Sequence, residues 1–134
     1  MRIVLDTNVF VSGIFFSGPP SRILEAWRDD NVQLAISPDI FHEYQRIGSE
    51  LSKQFPIVDL NSILGLVIKH AVMFPSPKLP EPVCEDPDDD KFIACAITSK
   101  SNVIVSGDKH LLKVSGFRGI NILKPREFVD IFLK

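Results

Sequence analysis

The sequence predicts an α/β fold: a three-layer sandwich with a central parallel sheet of about five strands and helices on both faces. Three observations predict it. Short β-branched or apolar runs recur along the chain, segments with apolar residues at helical spacing lie between them, and proline and capping signals mark helix starts. Strand-helix alternation of this kind favours parallel pairing through right-handed crossovers. At 134 residues the chain fits a single domain over 1–134, since domains typically run to roughly 100–200 residues.

In chain order, Ile3 to Leu5 forms the first strand, halted by Asp6. Ile23, Leu24 and Trp27 place a helix over Arg22 to Arg28, and Gln33 to Ile36 reads as the second strand. Ser37-Pro38-Asp39 is a strong helix start: a capping hydroxyl, a ring that presets φ, and an anion at the positive end of the helix. That helix runs to Leu51 on Ile40, Phe41, Tyr44, Ile47 and Leu51. A helix over Leu60 to His70 and a strand over Ala71 to Phe74 follow. Pro75, Pro77, Pro80, Pro82 and Pro87 are five of the ten prolines, and such a run cannot be helix interior or central strand, so it is a loop. Phe92, Ile93, Ala96 and Ile97 place a helix over Asp89 to Ser99; strands at Val103 to Val105 and Ile120 to Leu123 and a helix from Arg126 to Leu133 complete the chain. Phe128 and Phe132, four apart on that helix, read as core; Phe10, Phe15 and Phe16 read as core or a dimer surface rather than a base-stacking platform.

A hydrophobic fraction of 45% supplies a core without disulfides and excludes disorder. The formal charge of -2 hides a contrast: Glu81, Glu85, Asp86, Asp88, Asp89 and Asp90 crowd into ten residues, whereas residues 91–134 carry eight Lys/Arg against three acids. Cys84 and Cys95 lack any zinc or redox spacing and are expected to be reduced thiols. The apolar start is cut off at Asp6, short of the roughly 7–15 apolar residues of a secretion signal, and no run approaches the ~20 of a membrane span. A cytoplasmic protein with no membrane association is the expectation. GxGxxG is missing after the first strand, which excludes a dinucleotide site, and Asn8 breaks the paired DxD of an aspartyl-nucleophile phosphatase.

The acids are the candidates for chemistry. Asp6 ends the first strand and Asp108, in Ser106-Gly107-Asp108, follows the fourth, so both point to the crevice outside the carboxyl ends of the sheet. At 100° per residue Asp89 projects within roughly 10° of the apolar stripe of its helix and Asp90 roughly 90° away, which turns Asp89 inward and leaves Asp90, Asp88 and Glu85 to solvent. Asp86 fits either role, and Glu43 flanks the stripe beside Tyr44. Four converging carboxylates repel one another, no Arg or Lys adjoins Asp6, and no His or Cys stands in ligand spacing; an all-oxygen site for Mg²⁺ or Mn²⁺ is the natural reading. His42 and His110 adjoin these motifs but read as structural or solvated. Lys91, Lys109, Lys113, Arg118 and Arg126, with Arg22 behind them, are the candidate contacts for a polyanion backbone.

In order and spacing, Leu5-Asp6-Thr7-Asn8, Ser37-Pro38 with Glu43-Tyr44, Asp86-Pro87-x-Asp89-x-x-Phe92-Ile93-Ala94-x-Ala96 and Val105-Ser106-Gly107-Asp108-x-x-Leu111-Leu112 resemble the four acidic motifs of PIN domains. The likeness is nearest to the small stand-alone toxins of toxin-antitoxin pairs related to VapC. It implies a Mg²⁺- or Mn²⁺-dependent ribonuclease, with catalytic and metal-holding roles carried onto Asp6, Glu43, Asp89 and Asp108 and Asp86 as a further ligand. Thr7, Asn8 and Ser106 become groups that support the ligands or position water, and Lys91, Lys109 and Lys113 contact substrate. Hydrolysis leaves a 5′-phosphate and a 3′-hydroxyl. An antitoxin protein and a homodimer are the implied partners. The alternative is a PIN fold kept as an RNA- or protein-binding regulatory module with little activity.

Overall fold

The apolar runs of the sequence become β1 (Arg2–Leu5), β2 (Gln33–Ile36), β3 (Val72–Met73), β4 (Val103–Val105) and β5 (Asn121–Leu123). The structure, a computed structural model, describes residues 1–133. All strands are parallel in one sheet of order β3-β2-β1-β4-β5, with Leu5 opposite Val105 and Ile36 opposite Met73. Ile3 to Leu5 of β1 and all of β4 are buried whichever face they point to, as a parallel sheet covered on both sides requires.

The connecting helices are α1 (Thr7–Phe15), α2 (Pro19–Arg28), α3 (Pro38–Ser52), α4 (Leu60–His70), α5 (Asp90–Ser99), α6 (Lys109–Leu112) and α7 (Pro125–Phe132). The chain moves from β1 outward to β3, then crosses back to β4 and on to β5. Right-handed crossovers therefore put α1 to α4 on one face and α5 and α6 on the other. Packing agrees: α1 touches α2 and α3, α2 touches α7, and α5 lies against β1, β2 and β4. The three-layer sandwich predicted from the sequence is the observed architecture. Among the described residues no helix is long and apolar enough to cross a membrane.

Several local readings need correction. α1 and α6 were not predicted: α1 buries Thr7, Val9, Phe10 and Val11 and has little polar face to create a helical period, and α6 is a single turn. Ser37 does stand at the N-cap of α3, but its hydroxyl donates to Asp39 Oδ1 at 2.5 Å instead of capping a backbone amide. Asp39 Oδ1 in turn accepts the Ile40 N–H at 3.0 Å. Phe128 is fully buried, yet Phe132, also read as core, is 43% exposed. Phe10 lies in the core, whereas Phe15 is half-buried and Phe16 exposed, both packing on Phe55.

One glycine fixes the approach of two helices. A Cβ on Gly13 would stand 2.6 Å from Leu24 Cδ1 and 2.8 Å from the Pro20 carbonyl oxygen. The backbone cannot yield as a side-chain tip can, so Gly13→Ala is expected to destabilise the protein by about 1–3 kcal/mol of overpacking, less the roughly 1 kcal/mol that alanine adds to a helix. The net loss is about 0–2 kcal/mol, which urea denaturation checks; a raised midpoint would contradict the close α1–α2 contact.

Candidate active site

The strand order reverses between β1 and β4, and open α/β sheets bind ligands outside the carboxyl ends of the strands at such a switch point. Asp6 leaves β1 there. Its N–H donates to the Val105 carbonyl at 3.0 Å, extending the ladder by one bond before α1 begins. Although it occupies the N-cap of α1, its carboxylate does not cap that helix. The Ser106 hydroxyl donates to Asp6 Oδ2 at 2.6 Å, and the Asp108 N–H donates to the same hydroxyl at 2.9 Å, so Ser106 couples the ends of two adjacent strands. Asp108 caps α6, its Oδ1 accepting the His110 N–H at 2.7 Å.

Asp89 reaches the crevice from the opposite layer. A 3-10 turn (Pro87–Asp89) precedes α5, and Asp89 is 8% exposed, facing inward as the helical period requires. It too stands at an N-cap without capping. Its Oδ2 is buried with no hydrogen-bond partner among the described residues. Burial, then the negative charges of Asp108, Asp6, Asp86 and Asp88, push its carboxyl up to about 7. Burial likewise raises Asp6, with Ser106 opposing and Asp108 and Glu43 adding to the rise. Asp86 is exposed and caps the turn by accepting the Asp88 N–H at 3.0 Å.

Asp90 is not the solvated acid expected. It accepts the Val83 N–H at 3.2 Å and the Cys84 N–H at 2.8 Å, pinning the proline-rich loop onto the start of α5. Cys84 and Cys95 are buried free thiols, and burial pushes both up to about 12.

Glu43 sits on α3 with both oxygens engaged: Oε2 accepts the Thr7 hydroxyl, and Oε1 lies 2.6 Å from Lys91 Nζ. Beside it, buried Tyr44 donates its hydroxyl to the Leu5 carbonyl at 2.5 Å, tying α3 to the end of β1. Lys91 also lies 3.0 Å from Asp88 Oδ1, and its side chain is only 12% exposed. Burial works against its charge, but Glu43 and Asp88 outweigh burial and raise its pKa. Lys91, expected to contact substrate, is thus drawn into the acid cluster as a protein cation that the sequence reading did not place there. Lys91's place within the cluster and Tyr44's tie to β1 were not read from the sequence; a polar tip on an apolar stripe was the available signal for Tyr44.

Of the other basic side chains, Arg46 stands 4.0 Å from Glu43 Oε1, and the remaining candidates for substrate contact lie outside the cluster. Lys109 is exposed; Lys113 is exposed and 3.3 Å from Glu85 Oε1; His110 Nδ1 is 3.1 Å from Glu85 Oε2. Asn8 is exposed on the first turn of α1, and His42, Arg118 and Arg126 face solvent. Arg22 instead donates to the Leu133 carbonyl at 3.2 Å, fastening α2 to the end of the chain.

These residues fit a hard divalent ion. Among the described residues no three Asp, Glu, His or Cys side chains close into a ready-made cage. Ions of the Mg²⁺ type, however, keep several waters and take only one or two carboxylates directly. The buried, unpartnered Asp89 Oδ2 is the acceptor such an ion would engage, and the groups around it are oxygen donors.

Asp89 gives a pH signature. Between the ordinary 3.8 and about 7, the folded protein holds a proton that the unfolded chain has released, so metal-free stability falls as pH rises through that window. Asp6, also raised, acts in the same sense. Metal-free protein is expected to melt lower at pH 8 than at pH 5, and Asp89→Asn to shrink that difference. A melting difference between variant and wild type that stays constant across this range would contradict the assignment.

Comparison with known proteins bears on the same residues. A model of the PIN domain matches residues 2–110, a span that includes Asp6, Glu43, Asp89 and Asp108. The uncharacterized protein MJ1680 of Methanocaldococcus jannaschii is 30% identical over 148 aligned positions, which cover 100% of this chain and 93% of the relative. Sheet order, crevice acids and the family match converge, and the chain belongs to the PIN-domain family, with its nuclease-type fold.

Proposed function

We propose that the chain is a Mg²⁺- or Mn²⁺-dependent endoribonuclease. One observation carries the reading: Asp6 and Asp89 are buried at the switch point without capping their helices, and Asp89 Oδ2 has no partner among the described residues. Uncompensated buried carboxylates are costly, so an arrangement that keeps them calls for a cation. Asp6, Asp89 and Asp108 would hold the ion, with Asp86 at the rim. When bound, it supplies positive charge that polarises the scissile phosphate and offsets charge on the leaving oxygen.

The chain's own groups do the rest. Ser106 orients Asp6 and joins it to Asp108. The crevice carboxylates are the bases available to take the proton of the attacking water. Thr7 holds Glu43 in place, and Asn8, exposed on the first turn of α1, helps position water. Lys109 and Lys113, exposed on and just after α6, contact backbone phosphates, so binding weakens as salt rises.

Purified protein incubated with a mixed RNA pool and Mn²⁺ is expected to yield fragments with 5′-phosphate and 3′-hydroxyl ends. Fragments ending in 2′,3′-cyclic phosphates would overturn hydrolysis by water. The resemblance to small PIN toxins extends the reading to a homodimeric, cytoplasmic toxin with an antitoxin partner. On that extension, expression arrests growth, Asp6→Asn relieves the arrest, and light scattering gives twice the chain mass.

A further inference from the structure

Lys91 lies in the first turn of α5, two residues after Asp89, and its ammonium is drawn into the acid cluster instead of outward. It stands 2.6 Å from Glu43 Oε1 and 3.0 Å from Asp88 Oδ1, while the more exposed Arg46 reaches only to 4.0 Å from Glu43. Glu43 has no oxygen left over, because Thr7 donates to the other one. The crevice acids differ from it. Asp89 Oδ2 has no partner, and Asp6 receives its one side-chain bond from neutral Ser106. The four acids of the PIN pattern thus separate into Asp6, Asp89 and Asp108, which have no cation of their own among the described residues, and Glu43, which the chain has already neutralised.

We propose that Lys91 is a fixed second cation of the site, so that the centre loads a single divalent ion on Asp6, Asp89 and Asp108, and Glu43 serves as the anchor of Lys91 and not as a metal ligand. The inference rests on the metal-dependent nuclease reading. In two-metal phosphodiesterases a second ion balances the second set of charges. Here a compact ammonium, held between Glu43 and Asp88, stands in its place. Lys91 is accordingly a positioning residue. Removing it leaves Glu43 partly buried with only the Thr7 hydroxyl and the more distant Arg46, a state that recruits another cation.

Mn²⁺ counting on the metal-stripped 134-residue chain, by electron paramagnetic resonance of the free ion, tests this without relying on activity. Wild type is expected to bind one Mn²⁺ per chain, Lys91→Met two, and the charge-conserving Lys91→Arg one. Two ions on wild type, or one on a folded Lys91→Met, would overturn the proposal. Should Lys91→Met fail to fold by circular dichroism, Glu43→Gln decides: its Mn²⁺ affinity stays within about threefold of wild type, whereas disturbing a carboxylate that ligates or orients a ligand costs roughly 10–100-fold. A wild type that binds no Mn²⁺ overturns the nuclease reading itself, a result distinct from every failure of the Lys91 assignment.

Discussion

Asp6→Asn is expected to lower RNA cleavage on the order of 10³-fold, about 4 kcal/mol in barrier height, with the fold retained. The amide has the size of the carboxylate and still offers an oxygen to the Ser106 hydroxyl, so the Asp6–Ser106–Asp108 linkage across β1 and β4 survives. What disappears is a negative charge that burial and Asp108 already disfavour. Metal-free Asp6→Asn should therefore melt at or above the wild-type temperature, and its deficit should lie in metal binding and turnover. Comparing kcat/KM on one RNA, with circular dichroism as the control, checks both parts. Cleavage undiminished in the variant would remove Asp6 from the chemistry.

Tyr44→Ala is expected to cost about 3–5 kcal/mol of stability, a large share of the roughly 5–15 kcal/mol that holds a domain folded. The ring is fully buried and stacks on Phe10 with centroids 4.0 Å apart and planes 5° from parallel, joining α3 to α1. Its hydroxyl satisfies the Leu5 carbonyl immediately before Asp6. Tyr44→Phe keeps the stack and removes only that bond, so about 1–3 kcal/mol follows from leaving a buried acceptor unsatisfied. Urea unfolding of the two variants separates packing from hydrogen bonding. Equal losses for Phe and Ala would show that the ring contributes nothing beyond its hydroxyl.

The strands were legible because a parallel sheet buried on both faces writes continuous apolar runs, as in Ile3-Val4-Leu5 and Val103-Ile104-Val105. The same physics concealed α1. Thr7 to Phe15 is largely apolar, so no contrast between faces announces a helix. Within the acidic segment, the 100° period places Asp89 inward, because local geometry alone sets which side of a helix a residue occupies. Asp90 was misread because its partners, the Val83 and Cys84 amides, arrive only when the proline-rich loop folds back. Lys91 illustrates the same limit: its partner Glu43 is 48 positions away, and nothing local in either residue encodes the pairing. Ser37 shows a correct position with a different bond, since neighbouring Asp39 is the stronger acceptor for its hydroxyl. Acids at strand ends could thus be found from the sequence, whereas the charges that balance them depend on tertiary approach.

The most direct test of the central claim, that the crevice acids form a divalent-metal ribonuclease centre, is cleavage of a labelled RNA by one wild-type preparation, first stripped with EDTA and then titrated with Mn²⁺. The account predicts no cleavage in EDTA and activity that rises to saturation as the ion is restored. Cleavage at full rate in EDTA, with Asp6→Asn equally active, would contradict it.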